Sequence, residues 1–174
     1  MNNSFLETIK TRRSCRHYKA EQITDDELNA VLEAGTYAPT GHGKQDPVIV
    51  AVQNANVRAR LAKMNAAIMG VDSNPYYDAP TYVLVFASEG NANAVKDGSC
   101  VLENMMLAAH AIGLATCWIN REQEMFQTEE GKKMMKELGL ADGLIGIGAI
   151  SLGYASREPR PAAPRKEGWI KIVK

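Results

Sequence analysis

The stretch Asn104-Met-Met-Leu-Ala-Ala-His-Ala-Ile-Gly-Leu-Ala-Thr-Cys-Trp-Ile119 changes its pattern at Gly113. Before the glycine, Val101, Met105, Ala108 and Ala109 recur at helical spacing, and a helix is predicted from about Asp97 to Ile112. Gly113 stands where a helix turns left-handed and stops. After it, Ala115–Ile119 is a short apolar run of strand length. The helix is apolar on more than one side, so it is expected in the interior or at a subunit contact. The nearly apolar run Met105–Ile119 is shorter than the ~20 residues of a membrane span, and Gly113 interrupts it.

The same alternation of helix and strand extends to both sides. Ser4-Phe-Leu-Glu7 and Thr24-Asp-Asp-Glu27 have the capping-box pattern that opens a helix. Behind the second, Leu28, Val31, Leu32 and Gly35 share one helix face. Another helix is predicted after Asn54 or Asn56, with Val57, Leu61, Met64 and Ile68 inward, and a last one over Glu129–Leu138. Strands are expected at Val48–Val52, Tyr82–Ala87, Leu144–Leu152 and Trp169–Val173. Their apolar runs suit a central sheet covered by helices on both faces. Glu158–Lys166, with Pro159, Pro161 and Pro164, reads as an extended arm leading to the final strand. A chain of 174 residues fits one domain with room for a core or one small-molecule pocket.

Twenty Lys and Arg balance twenty Asp and Glu, and 45% of the residues are hydrophobic. That suits a folded soluble domain and argues against a general nucleic-acid binder. The charge is unevenly spread. Residues 1–20 hold five bases and one acid, residues 157–174 six and two, and residues 21–156 nine and seventeen, giving +4, +4 and −8. Cys15, Cys100 and Cys117 are odd in number and form no C-x-x-C pair, so no disulfide framework is expected. The start Met1-Asn2-Asn3-Ser4 lacks the pattern of a secretory leader, and a cytoplasmic location is expected.

Two segments stand out for chemistry. Lys10-Thr-Arg12-Arg13-Ser14-Cys15-Arg16 packs four cations and a hydroxyl into seven residues, which suits an anion such as a phosphate, although most charge runs of this kind are solvated basic surface. Ala38-Pro-Thr40-Gly41-His42-Gly43-Lys44-Gln45-Asp46-Pro47 offers two glycines for close backbone approach and several donors and acceptors. It is not a P-loop, and it also reads as a ten-residue connector. Gly146-Ile-Gly148 imitates a dinucleotide fingerprint but lies within a strand. His17, His42 and His110 are scattered, so no metal site is expected; His110 reads as a hydrogen-bonded core or interface residue. Cys117 reads as a buried, inert thiol.

Taken in order, five segments resemble the FMN-dependent nitroreductase family, in particular its short single-domain branch. They are Thr11-Arg-Arg-Ser-Cys-Arg-His-Tyr18, Ala38-Pro-Thr-Gly-His-Gly-Lys-Gln45, Tyr76-Tyr-Asp-Ala-Pro80, the Asn104–Ile119 stretch, and Leu152-Gly-Tyr154 with Pro164-Arg-Lys166. The resemblance implies an α+β fold, a three-layer sandwich with a central mixed sheet flanked by helices. Residues 1–174 would form one FMN-binding domain with a C-terminal arm at 157–174. It would work as a homodimer that exchanges the C-terminal strand and binds one FMN at each of two interface sites.

By the same resemblance, Arg12, Arg13, Ser14 and Arg16, with Arg165 and Lys166, would hold the flavin phosphate. Arg16 would lie nearer the N1/C2 edge of the ring. Thr40, Gly41, His42, Gly43 and Gln45 would line the ring or ribityl chain from one subunit. Asn65 would meet the pyrimidine edge, and backbone groups of Cys117, Trp118 and Ile119 would approach N5. From the residues themselves, Asn74–Pro80 reads either as a segment whose Tyr76 and Tyr77 rings cover a pocket and face substrate, or as a loop that anchors the next strand. NADH or NADPH would be the reductant and a flat nitroaromatic or quinone-like molecule the acceptor, in a ping-pong hydride transfer with no catalytic side chain. No membrane or nucleic-acid partner is implied. Gly43 stands where family members often carry Asn, Asp46 and Ala155 where they carry Pro, and Cys15 where a larger aliphatic residue is common. Asp46 would thereby put a carboxylate near the pocket. Two other readings compete: a flavin carrier or redox sensor without rapid turnover, and a flavin-free module whose basic ends grip an acidic partner.

Overall fold

The computed structural model describes residues 3–174. Met1 and Asn2, part of the start read for a leader, lie outside the described residues. Four strands, β1 (Val48–Val52), β2 (Thr81–Ser88), β3 (Ala115–Ile119) and β4 (Leu144–Gly153), form one sheet in the order β1-β2-β4-β3. Every ladder between them is antiparallel. The parallel component of the expected mixed sheet is one isolated bridge, Ser14 to Thr116, on the outer edge of β3. All four strands were legible as apolar runs, but runs alone do not reveal direction.

The helices are α1 (Ser4–Thr11), α2 (Asp25–Thr36), α3 (Ala55–Met69), α4 (Ala94–Ala111), α5 (Glu122–Gln127) and α6 (Glu129–Glu137). They make the outer layers of an α+β sandwich. On one face, Val31 of α2 and Leu102 and Met105 of α4 pack against Val83, Val85, Ile150 and Leu152. On the other, Leu61 and Met64 of α3, Met125 of α5 and Met134 of α6 pack against Tyr82, Leu84 and Phe86. Gly113, with φ of 86°, ends the α4 segment as the sequence pattern requires.

Thr24 and Glu27 form the expected capping box of α2. The cap of α1 sits one residue earlier than Ser4: the Asn3 side chain accepts from the backbone of Phe5 and Leu6. Helix α5 was not anticipated, because its six residues begin in the charged run Arg121-Glu-Gln-Glu124. Trp169–Val173, expected as a strand, pairs with nothing among the described residues of the single chain. Within it Trp169 is 72% exposed and Val173 96%. A strand exists only where a partner edge completes its hydrogen bonds.

Candidate functional site

The N-terminal basic run lies along the free edge of β3. Cys15 donates its backbone N–H to the Thr116 carbonyl at 2.8 Å, and Ser14 forms the parallel bridge to Thr116. Backbone groups of alternate strand residues point the same way, so Trp118, two residues beyond Thr116, also turns its N–H and C=O to this edge. Cys117 and Ile119 turn theirs toward β4 and bury their side chains. Burial pushes the Cys117 thiol up, in keeping with an inert thiol. Of the three residues expected near a ring nitrogen, Trp118 alone presents its backbone to the open edge.

A cleft of about 520 Å³ opens beside this run. Arg12, Arg13, His110, Thr116 and Arg157 line it, and Glu158 is the acid at its rim. Arg12 leaves Nη1 buried without a partner among the described residues, and its Nε is 3.9 Å from Glu103. An orphaned buried guanidinium nitrogen costs free energy unless an acceptor meets it, and an anion suits that demand. Arg13 instead folds back to donate to the Lys10 carbonyl at 2.7 Å. His110 Nε2 lies 2.8 Å from Thr11 Oγ1. Burial, with Arg12 and Arg13 close by, holds its pKa below the usual value, so it adds no charge to the cluster at neutral pH. The sequence did not point to His110 and Arg157 as cleft residues; their only signal was a polar side chain on an apolar helix and a base at the start of the arm.

Arg16 leaves the edge and donates through Nε to the Tyr77 hydroxyl at 3.3 Å, with its guanidinium 5.7 Å from the ring centroid. Tyr77 has φ of 56°, so the 76–78 turn holds it in the left-handed region. Tyr76, expected beside substrate, is instead fully buried and donates to Glu122 at 2.9 Å. Asn65 is likewise fully buried, with both ends of its amide bonded inside the protein. These two residues stand behind the edge, not on it.

The Thr40–Gln45 loop lies elsewhere. Gly41 donates its N–H to Asp97 at 3.0 Å, near the N-terminal end of α4. His42 (φ 57°), Gly43 and Gln45 (φ 50°) take left-handed conformations, and Thr40 Oγ1 accepts the Gln45 N–H. Asp97 and His110 are thirteen residues apart on α4, about 20 Å along its axis. One chain therefore keeps the loop and the basic edge at opposite ends of a helix. Asp46 is bonded within the chain: it accepts from the Ser88 N–H and hydroxyl and from Asn91, which hold its carboxyl below the usual range. Arg165 and Lys166 are exposed and line no part of the cleft; the arm contributes Arg157, Glu158 and Pro159 there. Arg165 donates to the carbonyl of Ala163. The glycines of the false fingerprint have a packing reason. A Cβ on Gly146 would come within 2.6 Å of the Glu122 carbonyl.

Comparison with known proteins gives this edge a context. A protein of Archaeoglobus fulgidus with the provisional name NADH dehydrogenase/NAD(P)H nitroreductase is 30% identical over 159 residues, covering 88% of this chain and 86% of its own. A Bacteroides fragilis nitroreductase, whose crystal structure holds bound FMN, matches with a TM-score of 0.92 and 35% identity, over 99% of this chain and all of that one. An NADPH-flavin oxidoreductase of Vibrio harveyi is 24% identical over 94% of this chain and 71% of its own. The family model for nitroreductases spans residues 9–154, from the end of α1 to the end of β4. By that span, and by the match to the archaeal relative, the chain belongs to the nitroreductase family.

Proposed function

We propose that this protein is an FMN-dependent oxidoreductase that uses NADH or NADPH to reduce flat aromatic acceptors such as nitroaromatics or quinones. The observation that carries the reading is the orphaned Arg12 Nη1 in a cationic cleft beside the free edge of β3. The chemistry FMN supplies when bound is two-electron transfer from the nicotinamide to the acceptor. The chain's own part is binding and orientation. Arg12, Arg13 and Ser14 hold the phosphate. Arg16, braced by Tyr77, offers a cation to the pyrimidine edge, and Trp118 offers backbone groups to the ring. Asn65 and Tyr76 act from behind the strand.

The Thr40–Gln45 loop completes the site from a second copy of the chain, because its anchor Asp97 lies about 20 Å along α4 from His110, which meets Thr11 beside the basic edge. A self-partner is also favoured by exposed apolar groups: Phe5 at 61%, Tyr37 at 78% and the arm residues Trp169, Ile170, Ile172 and Val173. In that homodimer the arm delivers Arg165 and Lys166 toward the phosphate. Among the described residues no helix is long and apolar enough to cross a membrane. The free thiols of Cys15, Cys100 and Cys117 suit a cytoplasmic location.

The test is the visible spectrum of the purified protein before and after anaerobic NAD(P)H. A flavin spectrum that bleaches and then recovers on addition of a quinone is expected. A yellow protein that does not bleach favours the carrier or sensor reading, and a colourless protein that takes up no added FMN removes the flavin reading.

A further inference from the structure

Behind the β3 edge lies a polar cluster centred on Glu122, a residue to which the flavin reading gives no task. Glu122, at the start of α5, is 1% exposed. Its Oε1 accepts from the Tyr76 hydroxyl, and its Oε2 has no partner among the described residues. The Asn65 amide is shared unequally: Nδ2 is 2.9 Å from the Asn120 carbonyl and 3.5 Å from Glu122 Oε1. Asn65 Oδ1 accepts from Nε of Arg121, a residue in the left-handed region with φ of 82°. Asn120 in turn accepts the Trp118 indole N–H at 2.8 Å. That indole lies over Gly148, where a Cβ would come within 3.2 Å of Nε1. A line of bonds thus runs from Glu122 through Asn65 and Asn120 to Trp118.

A neutral carboxyl competes weakly for the Asn65 amide and leaves it on the Asn120 carbonyl. An anionic carboxylate is the stronger acceptor, and its second oxygen must also find a donor. We infer that Glu122 is a positioning residue: the charge on its carboxyl decides whether Asn65 holds the Asn120 backbone, and with it the Trp118 indole at the edge of β3. Only the final step, from Trp118 to ligand affinity, rests on the flavin reading above.

The surroundings place this choice at an accessible pH. Burial pushes the Glu122 carboxyl up to about 8, against the pull of the Tyr76 hydroxyl and of Arg121; Glu124 raises it further. From the 76–82 segment the facing titratable groups are Tyr76 and Tyr82, whose rings stack at 4.1 Å. Helix α3 presents the uncharged Asn65, β4 presents Gly146, and α6 meets α5 at Gly131. On its own element the charged neighbours are Arg121 and Glu124.

The experiment uses flavin-free protein carrying Trp169→Phe, so that Trp118 is the single indole. Its fluorescence is followed from about pH 6 to about pH 9.5, a range wide enough to frame one titration. One transition centred at about pH 8 is expected, absent when Glu122→Gln is added. Tyr76→Phe removes a bond that favours the anion and moves the midpoint upward; if Glu122→Gln does not fold, an unmoved midpoint in Tyr76→Phe overturns the inference. In parallel, the FMN dissociation constant is expected to rise roughly three- to tenfold across the transition in the parent and to stay level in Glu122→Gln. Identical fluorescence titrations in the parent and Glu122→Gln overturn the inference. A normal fluorescence transition without any FMN binding supports the coupling and overturns the flavin reading instead.

Discussion

The two faces of the sheet are built from the same strands and differ in what they enclose. Under α4, Val83, Val85, Ile150 and Leu152 meet Leu102 and Met105 in an apolar contact, with the carboxylate of Asp97 kept to the helix end. Under α3 and α5, the packing of Tyr82, Leu84 and Phe86 continues into Asn65, Tyr76 and Glu122. Apart from Asp97, buried near the N-terminal end of α4, the first face contributes stability through apolar area removed from water, which no proton changes. The second contains an acid whose burial costs free energy once it is charged. Placing that acid behind β3 makes the end of the strand sensitive to protonation while α4 stays a fixed support.

The sharpest way to break this contrast is the pH dependence of folding. The native protein keeps the Glu122 proton to about pH 8, whereas an unfolded carboxyl releases it near 4.5. Native protein therefore binds more protons between those values, and its stability falls as pH rises through them. The expected loss is on the order of 4–5 kcal/mol, complete above the folded value and absent below the unfolded one. Urea denaturation of flavin-free protein at several pH values measures it, and Glu122→Gln should flatten the curve. Equal slopes in both proteins would erase the difference between the faces. Glu27 and Asp46, both held low by hydrogen bonds, act with the opposite sign and on the acid side of this window.

Leu102→Ala probes the other face. Leu102 is fully buried, so the substitution is expected to cost about 3 kcal/mol through lost burial and the cavity left behind. The same cost should appear at mildly acid and mildly alkaline pH. A strongly pH-dependent cost would show that the two faces are not separable. Arg12→Ala comes next, at about 2 kcal/mol on FMN affinity, or roughly thirtyfold weaker binding by fluorescence titration. Unchanged affinity would move the phosphate away from the cleft.

Much of the scaffold was readable from particular residues. Val48–Val52 and Ala115–Ile119 occur with the predicted bounds, and Thr24 with Glu27 caps α2. Apolar runs and caps are local signals, and their physics acts over a few residues. Strand order is not local: β4 lies between β2 and β3 although it follows both in the chain. The site divided in the same way. The basic run could be read because like charges crowd within seven residues, whereas Glu122 sits in the charged run Arg121–Glu124 and reads as surface. Its burial arises only when α3, β4 and the 76–78 turn close around it. Asn65 and Tyr76 are fully buried, and no local pattern around either residue shows that it faces inward.

Helix α4 also works as a ruler. Asp97 anchors the Thr40–Gln45 loop near one end, and His110 meets Thr11 beside the basic edge near the other. An α-helix advances about 1.5 Å and turns about 100° with each residue. A single inserted or deleted residue between these anchors would swing one end by more than a quarter turn relative to the other, misaligning both. Length changes inside α4 should therefore be rejected, even where every added residue is apolar.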